Sequence, residues 1–276
     1  MATRNRSGKP SWRRPFAPSR SNEGGSGERL SRGMSLHRFY APPEAIDGGV
    51  IRLDERESHH LRHVLRLKPG ARVIVFDGTG VEYEGIVLET RGRCASVGIR
   101  ARTTPAVESP LELTLAQALI KGEKFDLVVQ KATELGVHRI IPLLTRHAVI
   151  GAYSPQRLER WRRIALEAAK QSRRTRLVRV EEPQRVLDVL ERVHAPALFC
   201  AEREGVSLRE IATRWSDVPP RRLLVLIGPE GGWADEEIET ARKAGAMLLS
   251  LGPRILRTET AGLVVLSLVQ FLWGDL

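Results

Sequence analysis

The stretch "RLLVLIGPEGGWADEEIETARKAGAMLLSLG" covers residues 222–252. It opens with an apolar run over Arg222–Gly228. A glycine loop follows, then the helix-like "ADEEIETARKAG" of Ala234–Gly245 and a second apolar run over Ala246–Gly252. Neither run alternates polar with apolar residues. Strands of that kind are buried on both faces, as in parallel sheets covered by helices. In the loop, Gly228, Gly231 and Gly232 let the backbone approach a ligand closely or take a positive φ. Ligands of such domains sit at the carboxyl ends of strands. The loop matches neither G-x-G-x-x-G nor G-x-x-x-x-G-K-[ST]. It has no lysine beside it to hold a triphosphate, and Asp235, Glu236 and Glu237 follow at once. A ligand that is neutral or cationic at the loop fits this pattern; so does a tight strand-to-helix turn that binds nothing.

The same alternation runs outward over residues 111–276. "LELTLAQAL", from Leu111, reads as a strand. "EKFDLVVQKATELGV" places Phe125, Val128, Val129, Ala132 and Leu135 on one helical face, and Gly136 stops it. Arg139–Leu144 is a buried strand. Ser154 caps a helix that has Pro155 at its first position and a stripe of Leu158, Trp161, Ala165 and Ala168. Pro196–Glu202 is a further strand, and the C-terminal segment is a helix. Strands alternating with helices predict an α/β domain with a parallel sheet. Residues 35–105 read mostly as β instead. Arg72–Gly78 and Val81–Thr90 form a hairpin, and Cys94–Arg100 adds a strand. Ser58–Gly70 is a short helix capped by Ser58, with Leu61, Val64 and Leu65 on one face. The expected result is a small barrel or sheet with one helix, joined to the rest by a linker at Arg102–Pro110.

The chain has 276 residues, is 42% hydrophobic and carries a formal net charge of +11. That charge favours an anionic partner, nucleic acid first, over a merely soluble basic protein. Residues 1–33 hold eight Lys or Arg against two acids, so more than half of the excess lies there. This stretch is rich in Arg, Ser, Gly and Pro and has no apolar period, so disorder is expected. It reads equally as a transit-like segment, an RNA-touching arm, or sequence upstream of a start at Met34. Cys94 and Cys200 form no C-x-x-C pair and read as buried thiols of a reducing compartment. No apolar run reaches 18 residues; Ala261–Trp273 suits a core helix better than a membrane span. No metal is expected, because His59, His60 and His63 lack further ligands nearby.

A second glycine loop lies in "LSLGPRILRTETAGLVVLSLVQ", Leu249–Gln270. Thr258 or Thr260 is a helix cap, with Glu259 favouring the helix dipole. A cap does not explain Arg254 and Arg257 among so many apolar neighbours, and arginine is a natural reader of phosphate or of a base edge. The helix from Pro155 and the arginines after it, Arg173, Arg174 and Arg176, form either a solvated face or an RNA-facing one. The same two readings apply to Arg62 and Arg66 beside the histidines.

"LHRFY" (36–40), "HHLRHVLRLKPG" (59–70), Lys124–Pro142, Arg160–Ser172, "LIGPEGGW" and "LGPRILRTETA" occur in an order that resembles one family over about residues 35–276. They resemble the RsmE family of 16S ribosomal RNA uridine-N3 methyltransferases, within the SPOUT superfamily. The two glycine loops are the specific part of the match. The resemblance implies a PUA-like RNA-binding β-barrel at 34–105, and at 111–276 a SPOUT parallel sheet with a C-terminal trefoil knot. It implies S-adenosylmethionine as cofactor, 16S rRNA within the assembled 30S subunit as substrate, a homodimer and a cytoplasmic location. Carried over by position, cofactor contacts fall on Leu226, Ile227, Gly228, Pro229, Gly231 and Gly232 in the first loop. In the second they fall on Leu251, Gly252, Ile255, Leu256 and Arg257. Arg254 and Arg257 are candidates to stabilise a uridinate, and Glu259 or Glu230 to accept its proton. Arg38, His60, Arg62, Arg66, Lys121, Arg173 and Arg174 are candidate RNA contacts. Two alternatives stand beside this reading. One is another SPOUT RNA methyltransferase, such as a ribose 2′-O enzyme, although "QKATELG" replaces the Asn/Gly/Arg motif typical of those. The other is an RNA-binding assembly protein without catalysis.

Overall fold

The computed structural model describes residues 36–148, 153–201 and 204–276. Residues 1–33, with their three readings, lie outside these. In the C-terminal part, strands β7 (Glu112–Ala118), β8 (Arg139–Leu144), β11 (Ala197–Cys200), β13 (Arg222–Ile227) and β14 (Met247–Ser250) build the sheet. Two-residue strands β9 (Arg179–Val180), β10 (Gln184–Arg185) and β12 (Val206–Ser207) extend it. The order is β10-β8-β7-β13-β11-β14-β12, with β9 against β8. Every pairing is parallel, as the unalternating apolar runs predict.

Both faces are covered. Leu223, Val225 and Ile227 of β13 point into a core shared with helices α2 (Lys124–Glu134), α3 (Pro155–Gln171) and α7 (Thr258–Trp273). Leu224 and Leu226 point the other way, among residues of α4 (Val186–Arg192) and α6 (Asp235–Lys243). Helix α5 (Leu208–Arg214) adds Leu208 and Ile211 to the first core. Ser154 caps α3 by accepting from the Arg157 N–H, with Pro155 at the first turn, and Gly136 ends α2 at φ +78°. Helices α4 and α5 are seven residues each; α5 opens with a Ser207–Glu210 capping box that the sequence reading passed over. Because β7, β13, β11 and β14 lie side by side and parallel, their carboxyl ends and following loops crowd one edge of the sheet.

The N-terminal part is a six-stranded sheet. Its strands are β1 (His37–Tyr40), β2 (Ile46–Asp47), β3 (Val50–Arg52), β4 (Arg72–Phe76), β5 (Glu82–Glu89) and β6 (Ser96–Thr103), in the order β1-β4-β5-β6-β3-β2. The β4–β5 hairpin stands where expected. The helix differs from its reading. Asp54, not Ser58, caps α1 (Glu55–His59) by accepting from the Glu57 N–H at 2.7 Å. Ser58 is buried inside the turn, donating to the Leu53 carbonyl and accepting from the Ala95 N–H. A π-helical turn over His60–Val64 follows, and this wider turn leaves Val64 63% exposed while Leu61 is buried. Cys94 is exposed rather than buried.

Charge, not only apolar packing, joins the two parts. Lys170 on α3 donates to both oxygens of Glu57 on α1, at 2.8 and 3.1 Å, and both side chains are buried. Glu108 lies before β7 and binds the Arg174 guanidinium at 2.7 Å; it also accepts from the N–H groups of Thr175 and Arg176. Arg174 further donates to the Thr133 and Val137 carbonyls, and its own carbonyl accepts from Arg38, which also pairs with Glu82. The β4–β5 turn docks on the same segment through Gly80 N–H to Thr175 O and Leu177 N–H to Gly78 O, both 3.1 Å. Arg38 and Arg174 are therefore structural, and neither presents its charge to RNA. A charged pair withdrawn from water needs close geometry and additional hydrogen bonds to offset its desolvation.

Burial pushes the Glu108 carboxyl up, but Arg174 and the two backbone donors outweigh it and hold the group below the usual carboxylate range. A carboxyl held lower in the folded than in the unfolded chain adds stability above its unfolded value of 4.5, lost progressively as pH falls through the folded value. Denaturant melts should therefore show stability dropping below about pH 4.5, and Arg174→Met should cost about 3–5 kcal/mol at pH 7. A melt unchanged by Arg174→Met would show that Glu108 does not depend on it.

Candidate functional site

A cleft opens where the loops after β11, β13 and β14 meet. Cys200 and Ala201 line it from the first loop, Gly228, Pro229, Gly232 and Trp233 from the second, and Leu251 to Leu256 from the third. Ile227 at the end of β13 and Thr258 and Ala261 on α7 close it. The first wall is built around an indole. Trp233 stacks on Phe199 with ring centroids 4.2 Å apart, and its Nε1–H donates to the Cys200 carbonyl at 2.7 Å. This lays the ring across Gly228, where a Cβ would meet it at 2.9 Å. Gly232 turns with φ +72°, and Gly252 in the facing loop with φ +102°. The acids at the start of α6 do not all face the cleft. Glu237 turns back to accept from the Ala234 N–H and the Arg146 N–H, both at 3.0 Å. Burial pushes the Cys200 thiol up to about 12.

Of the proposed cofactor contacts, Ile227, Gly228, Pro229, Gly232, Leu251, Gly252, Ile255 and Leu256 line the cleft, as does Arg254. Leu226 is not among the lining residues and its side chain packs into the opposite core; the contact expected of it is through its backbone. Gly231 lies behind the wall, where a Cβ would meet His147 at 3.1 Å. Arg257 is exposed at the N-cap of α7, so neither Thr258 nor Thr260 is the cap. Trp233 was missed, although its place directly after two glycines of the loop was a signal.

Behind the cleft, Gln117 of β7 has no exposed surface. It pairs in register with Ile227 and donates from Nε2 to the Thr258 carbonyl at 3.1 Å. Its Oε1 has no hydrogen-bond partner and lies over Gly262, where a Cβ would approach it to 2.5 Å. An absent side chain at Gly262 thus lets the start of α7 settle onto the sheet.

Beside the cleft, Lys124 Nζ lies 3.4 Å from Glu259 and 3.9 Å from Glu230. The sequence around the first loop has no lysine, yet the fold brings this one from the start of α2. Glu259 is 13% exposed and Glu230 42%. Glu259 Oε2 is buried and has no hydrogen-bond partner.

The remaining candidate RNA contacts divide. Arg62 is half-buried and donates to the Ser58, Gly92 and Arg93 carbonyls, so it braces the β5–β6 turn. His60 is half-buried against Phe39, and burial pushes its imidazole down, which makes a cationic phosphate contact unfavourable. Arg66, Lys121 and Arg173 are exposed. Arg66 and Arg173 are also the non-glycine residues with positive φ among those described, at 55° and 62°. No group of three or more His, Cys, Asp or Glu able to hold a metal occurs among the described residues, and no helix among them is long and apolar enough to cross a membrane.

Residues 107–270 match a family described as RNA methyltransferase domain, and residues 53–95 one described as RNA methyltransferase PUA domain. The chain is 35% identical to the ribosomal RNA small subunit methyltransferase E of Synechocystis sp., over 87% of this chain and 78% of that protein. It is 32% identical to the protein of that name from Bacillus subtilis, over 78% and 87%. Its fold matches a ribosomal RNA small subunit methyltransferase E from Neisseria gonorrhoeae bound to S-adenosyl methionine. The TM-score is 0.79 and the identity 32%, covering 87% of this chain and 99% of that one.

Gly262→Ala should push the Gln117 amide or the start of α7 aside and cost about 1–3 kcal/mol, as overpacking does. Thermal melting measures it; an unchanged midpoint would mean that Gln117 moves freely and does not set the helix.

Proposed function

This chain belongs to the ribosomal RNA small subunit methyltransferase E family, and from that membership we propose that it methylates N3 of one uridine in 16S rRNA, with S-adenosylmethionine as methyl donor. The cleft fits that donor. Its walls are backbone, glycine and apolar side chains, and the indole of Trp233 and the Ile227, Leu251 and Leu256 side chains offer surfaces for a flat base. Arg254 is the charged side chain among the lining residues, and nothing there resembles a phosphate cradle. When bound, the donor supplies a methyl group on a cationic sulfur, which leaves as a neutral thioether once a lone pair displaces it.

The chain's own task is to make that lone pair available. Uridine N3 carries a proton and is a weak nucleophile at neutral pH. The observation that carries our reading is Glu259 Oε2, a buried carboxylate oxygen with no donor. A buried acceptor without a partner is costly, and an entering N3–H supplies the missing donor. The proton passes from N3 to Oε2, and the pair left on N3 forms the new bond to carbon. Arg254 in the cleft lining and Arg257, exposed at the N-cap of α7, stabilise the charge developing on the uridine carbonyl oxygens. Glu230 is the weaker base candidate, because it is more exposed and lies farther from Lys124. The uridine must be splayed from its neighbours to reach the cleft.

The remaining features follow from the same reading. Residues 34–105 serve as the RNA-gripping PUA-like domain and 111–276 as the methyltransferase domain, with the loop after β14 forming a trefoil knot. Leu268 and Phe271, three residues apart on α7 and exposed, share a helix face that a second copy covers, giving a homodimer. Substrate is the assembled 30S subunit, and the work is cytoplasmic. Arg66, Lys121 and Arg173 are the RNA contacts we retain. A left-handed backbone at a non-glycine residue costs roughly 1–2 kcal/mol, which a binding role at Arg66 and Arg173 accounts for.

Incubation with labelled S-adenosylmethionine and undermethylated 30S subunits, followed by nucleoside analysis, should yield 3-methyluridine. A 2′-O-methyl nucleoside, or no transfer, would sink the proposal. Arg257→Ala should lower kcat by about 10²- to 10³-fold while the melting temperature holds; near-normal turnover removes Arg257 from the site. Arg173→Gly relieves strain, so stability should hold or rise while RNA binding weakens and its salt dependence flattens. An unchanged salt slope returns Arg173 to the solvated face.

A further inference from the structure

Lys124 stands against its local setting. It is the first residue of α2, where the helix dipole disfavours a cation. A residue that breaks a local rule commonly answers to a tertiary one. Its ammonium reaches over the carboxyl edge of the sheet and lies between two carboxylates from different loops, Glu259 at 3.4 Å and Glu230 at 3.9 Å. Gly122, at φ +68°, turns the chain just before it, so that α2 starts above the end of β7. Glu259 starts α7 above the same place, because Gln117 at the end of β7 binds the Thr258 carbonyl.

The two carboxylates differ in what they need. Glu230 is partly in water and needs no partner. Glu259 is mostly buried, and among the described residues Lys124 is the one cation within 4.0 Å of it. Its second oxygen has no hydrogen-bond partner. A carboxylate withdrawn from water needs a nearby cation and a fixed orientation. The charged groups around it are Lys124 from α2, Glu230 from the loop after β13, and Arg257 two residues earlier on its own segment.

We propose that Lys124 is a positioning residue of methyl transfer: its ammonium binds Glu259 through Oε1, balances its charge against Glu230, and so leaves Oε2 free for the proton of the uridine. The inference rests on Glu259 being the proton acceptor. Lys124 itself touches neither the methyl group nor N3. Arginine at 124 can make the same bridge, whereas methionine keeps the length of the side chain and loses the charge.

The test uses the full chain with 30S subunits, and compares Lys124→Met, Lys124→Arg, Glu259→Gln and the Lys124→Met/Glu259→Gln double variant. Lys124→Met should lower kcat by about 10- to 100-fold, as misplacement of a reacting group does. The KM for 30S and the S-adenosylmethionine Kd should stay near wild type, which also reports an intact fold. Lys124→Arg should recover most of the rate. The double variant should be no slower than Glu259→Gln alone, because residues acting as one unit are not additive. Losses that multiply, or a Lys124→Met effect confined to KM, overturn the proposal. A slow Glu259→Gln beside a normal Lys124→Met overturns it while leaving the proton-acceptor reading in place. A normal rate in Glu259→Gln overturns both.

Discussion

The hydrogen bond from Gln117 Nε2 to the Thr258 carbonyl is the tie on which the candidate site depends. It joins the end of β7 to the first residue of α7, across the sheet edge where the two glycine loops meet. An amide buried in an otherwise apolar strand is costly unless it is bonded. The cost is partly offset here, since one end of the amide is paired and the other rests over Gly262 with no partner. Because the helix is held at that point, Glu259 and Arg257 are placed relative to the first loop without help from loop packing alone. The Trp233 indole does the corresponding work on the other wall, spanning from Gly228 to the Cys200 carbonyl.

A second constraint operates far from the cleft. The N-terminal sheet is bound to the rest through Lys170–Glu57 and the Glu108–Arg174–Arg38 group. Buried ion pairs contribute little net stability compared with apolar packing, but they are intolerant of the wrong geometry. A junction of this kind suits two surfaces that must address one large substrate at a set spacing. It also explains why the net positive charge overstates the RNA-binding surface. Arginines that look like a cationic face in one dimension are partly consumed inside the molecule.

The elements were largely legible. Apolar runs without alternation marked β13 and β14, and the Ser154-Pro155 start and Gly136 stop marked α3 and α2, because these signals are local backbone chemistry. The cleft lining was legible too where it consisted of loop residues close in sequence, as in Gly228, Pro229 and Gly232 and in Leu251 to Leu256. Ser58 was misread as a cap because Asp54 competes for the same role four residues earlier. Arg38 and Arg174 were misread because their partners, Glu82 and Glu108, lie 44 and 66 residues away.

By itself the sequence determined the parallel α/β core and the two glycine loops, since each depends on residues adjacent in the chain. Only the tertiary structure decided which charges meet. It turned Arg174 inward, left Arg173 in water, and brought Lys124 from the start of α2 to Glu259. Those outcomes depend on burial and on distances between segments far apart in the chain, 66 residues for Arg174 and Glu108. No spacing along the chain records them, because the energy of a charge is set by what surrounds it in space.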